Sequence, residues 1–117
     1  MSSRPSLNDL RAAVWAQRTL RRARRQLRAG RVTGVALPPP PRVSAAARRG
    51  VEGLLRRRRH TCLEAALVRQ RWLAGHGMQR AIVIGVSSPR DGFIAHAWID
   101  GEDGASPHQF TELARIP

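Results

Sequence analysis

The chain has no lysine, no tyrosine and a single cysteine among its 117 residues. One cysteine, Cys62, cannot form an internal disulfide, and a lone thiol fits a reducing cytoplasm. It cannot supply a conventional structural zinc site either, because the paired cysteine spacing is absent even though His60 and His76 lie near it in sequence. No run of about 18 or more apolar residues occurs, so no membrane-spanning helix is available. The opening MSSRPSLNDL lacks the apolar stretch of a secretory signal, so a cytoplasmic location is expected. No phosphate-binding glycine loop is found, and no cofactor is expected; whether a nucleotide is needed stays open. With lysine missing, every one of the 21 basic residues is arginine. That points to a GC-rich coding bias as much as to a partner.

The charge is unevenly spread. Residues 1–61 hold 16 arginines against Asp9 and Glu52, whereas residues 62–117 hold 5 arginines against 6 acidic residues. A basic half of this size is either a solvated helical surface or a face that attracts nucleic acid or an acidic polypeptide. The length suits one domain with a modest core. Within it, residues 1–57 read as an Arg-rich helical part and residues 58–117 as a helix followed by a sheet.

Ser6, with Asp9 three residues on, resembles a helix start. Leu10, Ala13, Ala16, Leu20, Ala23 and Leu27 then recur at helical spacing up to a stop at Gly30, a helix of roughly six turns. Pro38 to Pro41 cannot be helix interior and favour an extended connector. Ser44 caps a second helix, with Ala47, Val51, Leu54 and Leu55 on one side and Gly50 and Gly53 weakening it. Arg56 to Arg59 form a four-arginine run, read as a solvated helix end or as an electropositive approach to the cysteine. From Cys62 a third helix carries Leu63, Ala66, Leu67, Leu73 and Ala74, a buried pattern closed by Gly75 and Gly77. Ala81 to Val86 reads as a buried strand and Phe93 to Asp100 as the next. Alternation puts Ile94, His96 and Trp98 on one face of that strand and Phe93, Ala95, Ala97 and Ile99 on the other. A third, irregular strand is expected over Ala105 to Phe110. Helices first and an antiparallel sheet after them make the class α+β.

Thr61-Cys-Leu-Glu64 is the capping-box pattern, so Cys62 becomes the first residue of its helix. Unpaired N–H groups and the helix dipole favour negative charge there, and a thiolate is the form that attacks carbonyls. His96, on a strand, is the candidate base of a Cys–His pair for acyl transfer. The bland alternatives are a small core cysteine and a structural histidine.

The segments HTCLEAAL, AIVIGV and AHAWIDG, spread over about residues 54–104, resemble the lasso peptide biosynthesis B2 proteins. These are leader peptidases similar to the C-terminal domain of the microcin J25 processing protein. The resemblance implies a transglutaminase-like (papain-like) cysteine protease fold, with Cys62 as nucleophile and His96 as base. It also implies that the leader–core junction of a precursor peptide is cleaved through an acyl-enzyme, that a small separate recognition protein presents the leader, and that a cyclase then closes the ring. In the family an aspartate about a dozen residues past the histidine orients it. The matching stretch here, DGASPHQF, offers His108 and Gln109 instead. A four-residue hairpin loop at 101–104 would bring Gln109 opposite His96, and an amide oxygen can orient an imidazole. Other readings are acyl transfer to an amine, a catalytically degenerate family member, and an Arg-rich module that binds nucleic acid or an acidic protein. The absence of tyrosine and of any recognition-helix or zinc-finger pattern counts against nucleic acid.

Overall fold

A computed structural model describes residues 6–87, 94–102 and 110–117. Helix α1 (Leu7–Arg28) starts at a complete capping box: Ser6 Oγ accepts from the N–H of Asp9, and the Asp9 carboxylate accepts from the N–H of Ser6. The hydrogen bond from the Ser6 N–H, joined by Arg49 at 2.7 Å, holds the Asp9 carboxyl below its ordinary range. Ala29 caps the far end and Gly30 follows at a φ of 87°, the left-handed turn that glycine adopts without strain. The buried stripe of α1 is Ala12, Trp15, Ala16, Thr19, Leu20 and Ala23. It is rotated from the expected one: Leu10 is exposed, because Trp15 takes the inward position and donates its indole N–H to Pro38 O at 3.1 Å.

The proline connector is fastened to both of its helical neighbours. Arg71 donates to Leu37 O, and His76 Nε2 lies 3.0 Å from Val43 O. The ring of Pro40 fills the space where a side chain at Gly75 would sit. Ser44 caps a short 3-10 turn (Ala45–Ala47) that leads into α2 (Arg48–Arg57). Gly50 lies where α2 crosses α1 so closely that a Cβ would overlap the Asp9 carbonyl. It is a packing requirement as well as a weak helix former.

Helix α3 (Cys62–Gly75) is buried on most sides, through Glu64, Ala65, Ala66, Leu67, Val68, Trp72 and Leu73. It divides two cores. On one side Ala65, Val68 and Trp72 pack with Ala12, Trp15 and Leu20 of α1 and with Val51 and Leu55 of α2. On the other, Ala66, Leu67 and Leu73 pack with Ile82, Ala97, Ile99 and Ile116 of the sheet.

The sheet has three antiparallel strands among the described residues: β1 (Ile82–Ser87), β2 (Ala95–Ile99) and β3 (Phe110–Ile116), in the order β2-β1-β3. The third strand therefore begins where the expected one, Ala105 to Phe110, ends. It pairs with β1, with Ile82 opposite Ile116 and Ser87 opposite Phe110. Among the described residues the cross-strand partner of His96 is Gly85, and β1 lies between β2 and β3. The cause is the apolar run Ile82-Val-Ile, which takes the central position because both of its faces are covered there. Gln109 and His108 themselves lie outside the described residues. The α+β class, with helices preceding a small antiparallel sheet, is the arrangement found. No helix among the described residues is long and apolar enough to cross a membrane.

Candidate active site

Cys62 opens α3 because the residues on either side of it form the second capping box. Thr61 Oγ1 accepts from the N–H of Glu64 at 3.1 Å, and the Glu64 carboxylate accepts from the N–H of Thr61 at 2.9 Å. A box of this kind uses the donors of Thr61 and Glu64 and leaves those between them. Among the described residues nothing accepts from the N–H groups of Cys62 or Leu63. Two free donors thus flank the thiol at the positive end of the helix. Burial pushes the Glu64 carboxyl up, but hydrogen bonds from Arg24 and the Thr61 N–H outweigh it and hold the group below its ordinary value. Arg24 reaches Glu64 at 3.2 Å and Arg59 O at 2.6 Å, so α1 clamps the box from outside.

The half-buried sulfur of Cys62 accepts from the backbone N–H of Ala97, at 3.3 Å. That N–H points away from β1, on the edge of β2 that no described strand pairs with, which is why a helix end can meet it. Ala97 and Ile99 face α3, and His96 and Trp98 face the other way, as strand alternation requires. The His96 ring lies 5.8 Å from Trp98 and 5.3 Å from Phe110, centroid to centroid. Phe110 reaches it across β1 because the residue between them is Gly85. A Cβ on Gly85 would come within 2.9 Å of the Trp98 ring and 3.0 Å of Phe110 Cβ.

Cys62 and His96 line one cleft of about 450 Å³. Both predicted residues border that cleft, with the His96 side chain on the face of β2 turned away from α3. Among the described residues no hydrogen bond joins the His96 ring to the sulfur, whose partner is the N–H of the next residue along. Asp100, four residues past His96, is ion-paired with Arg115 at 2.9 Å. His60 lines the same cleft, and its ring nitrogens lie 2.9 Å from Leu55 O and 3.1 Å from Thr61 O.

The far wall is a set of charges that sequence reasoning did not single out. Arg48 donates to both oxygens of Glu102, at 2.6 and 2.7 Å, and to Glu52 at 3.3 Å. Arg69 donates to Glu52 at 2.8 to 3.2 Å. Burial raises the Glu52 carboxyl, but Arg69 and Arg48 outweigh it; the Arg48 hydrogen bonds lower Glu102 against a smaller effect of burial. Only Arg48 and Glu52, four apart on one helix, carried a local signal. Their links to Arg69 and Glu102 join α2 to α3 and to the turn after β2, over 17 and 54 residues.

A family model described as the transglutaminase-like superfamily matches residues 7–114. Neither the curated proteins nor the solved structures contain a match. The family match spans nearly the whole chain, including α1, the Cys62 helix, β1, β2 and most of β3, and it agrees with the resemblance carried by the Cys62 and His96 segments. The chain belongs to the transglutaminase-like superfamily.

Proposed function

We propose that this chain is a cysteine peptidase that removes the leader from a lasso peptide precursor. The observation that carries the reading is the Cys62 sulfur at the open N-terminus of α3, in a cleft that His96 also lines. Cys62 thiolate attacks the carbonyl at the leader–core junction, and the carbonyl oxygen becomes an oxyanion. The free N–H groups of Cys62 and Leu63 are placed to donate to it. His96 gives a proton to the departing amine, which becomes the N-terminus of the core peptide, and the leader is left as a thioester on Cys62. His96 then takes a proton from water as that water attacks the thioester, and leader and thiol are released.

The Ala97 N–H supports this use of the sulfur, since a backbone donor aimed at it holds it between the start of α3 and β2. His96 stacks with Trp98 and Phe110, which limits the orientations of its ring. Either Gln109 or His108 is the proposed third residue, and a bare dyad is the simpler form. A separate recognition protein presents the leader, and a cyclase takes the product. The reaction belongs in the cytoplasm, where a single free thiol stays reduced.

The test is incubation with a precursor peptide and its recognition protein, followed by mass analysis. Free leader and a core peptide with a new N-terminus are expected, with none from Cys62→Ala. Cleavage that continues in Cys62→Ala sinks the proposal, and a leader joined to an added amine reassigns it to acyl transfer.

A further inference from the structure

Helix α1 turns a second apolar stripe away from the core. Leu7 is 74% exposed and Leu10 and Val14 are each 53% exposed, at spacings of three and four residues along one helix face. Together with Pro38, Pro39 and Pro41 they form the walls of an open groove of about 580 Å³. Arg11, Arg18 and Arg22 stand along it, and the groove shares no lining residue with the Cys62 cleft. From Leu7 to Arg22 the face is about 22 Å long, at ~1.5 Å per residue. Buried Trp15, bonded to Pro38 O, fixes the spacing between helix and prolines, so the groove is built before anything enters it.

Among the described residues no carboxylate is left over to neutralise this face. Every acidic residue among the described ones is already ion-paired: Asp9 with Arg49, Glu52 with Arg48 and Arg69, and Glu64 with Arg24. Asp100 and Glu112 are held by Arg115, and Glu102 by Arg48. A second copy brings the same net charge of +13 and is repelled. Nucleic acid suits the arginines but not the leucine, valine and proline floor, and the only indole here is turned inward.

We infer that the groove between α1 and the Pro38–Pro41 segment is a docking site for an acidic amphipathic helix of a partner protein. Apolar side chains of that helix, repeating every three to four residues, enter between Leu10, Val14 and the prolines. Its carboxylates meet Arg11, Arg18 and Arg22. The inference stands apart from the peptidase reading, since it uses no residue of the Cys62 cleft.

The experiment is fluorescence anisotropy with a labelled synthetic helical peptide, leucine on one face and glutamate on the other. It is titrated with the full chain and with three variants. Leu10→Gln/Val14→Gln is expected to weaken binding by about tenfold or more. Arg11→Gln/Arg18→Gln/Arg22→Gln does the same and flattens the salt dependence. Arg28→Gln/Arg31→Gln/Arg58→Gln, an equal loss of charge elsewhere, has a much smaller effect. A wild-type chain that does not bind the peptide overturns the inference. So does equal weakening by the two arginine sets, or equal affinity for a peptide of the same composition with its leucines shuffled. A DNA or RNA oligonucleotide bound more tightly than the peptide, with no loss in Leu10→Gln/Val14→Gln, reassigns the face to nucleic acid. Circular dichroism of each variant separates lost binding from lost fold.

Discussion

Gly50 and Gly53 lie three residues apart in one short helix, and alanine at the two positions should change stability in opposite directions. Replacing glycine by alanine inside a helix gains up to about 1 kcal/mol from backbone entropy. At Gly53 that gain stands alone, because an added Cβ meets nothing nearer than an Arg56 guanidinium nitrogen at 3.9 Å. At Gly50 the same Cβ overlaps the carbonyl of Asp9, which is helix backbone and cannot rotate away. Relief requires α1 and α2 to move apart around Val51, Ala12 and Ala47, all nearly fully buried. Overpacking of a rigid contact costs about 1–3 kcal/mol, and a backbone clash belongs at the upper end of that range. After the helix gain is subtracted, Gly50→Ala should destabilise by about 2 kcal/mol, and Gly53→Ala should stabilise by about 0.5–1 kcal/mol. The two variants then differ by about 3 kcal/mol, or roughly 2 M in urea midpoint for a slope near 1.5 kcal/mol/M. Urea unfolding followed by tryptophan fluorescence suits the measurement, since Trp15 and Trp72 sit in this core. If both variants shift the midpoint in the same direction, the close crossing at Gly50 is wrong.

Thr61→Ala removes the oxygen that accepts from the Glu64 N–H and should cost about 1 kcal/mol in urea unfolding; because the same turn carries Cys62, the rate of thiol alkylation should change with it, and an unchanged rate would separate the cap from the thiol. Gly85→Ala should displace the Trp98 and Phe110 rings from His96 and, under the proposed peptidase function, lower precursor cleavage more than its urea midpoint explains; unchanged turnover would show that the ring stack does not hold the histidine. The carboxyls of Glu52, Glu64 and Glu102 lie below their ordinary value of 4.5, so the folded chain binds fewer protons than the unfolded one. Their stabilising contribution is therefore complete above about 4.5 and lost as pH falls through the lower folded values, and urea midpoints measured from pH 6 to pH 3 should fall. A flat or rising midpoint over that range contradicts the ion pairs around the cleft.

Local rules located much of this molecule. The helix start at Ser6, the capping box at Thr61, the stop at Gly30 and the two faces of β2 are written in residues a few positions apart, and each is present as read. What escaped depends on distant partners. Leu10 looked like core because its spacing is helical; only the tertiary fold decides that Trp15 occupies the inward position. Pairing of the described β3 with β1 rather than β2 cannot be inferred from loop length, because it depends on which strand takes the central position. The cleft was legible in part, with Cys62 on a helix end and His96 on a strand. The Arg48–Glu102 clasp and the meeting of His96 with Phe110 over Gly85 are tertiary, and no pattern within one element announces them.

The contact between the Ala97 N–H and the Cys62 sulfur gives the cleft a built-in reporter. An amide proton shared with sulfur responds to the charge on that sulfur. Its nitrogen and proton NMR shifts would follow ionisation, alkylation or acylation of Cys62 without a label near the reacting atoms. Among the described residues β2 is an edge strand, and no second strand shields that proton. Its exchange with solvent would quicken whenever the sulfur turns away, so a single amide in an isotope-exchange experiment would record how long the Cys62 sulfur stays in place.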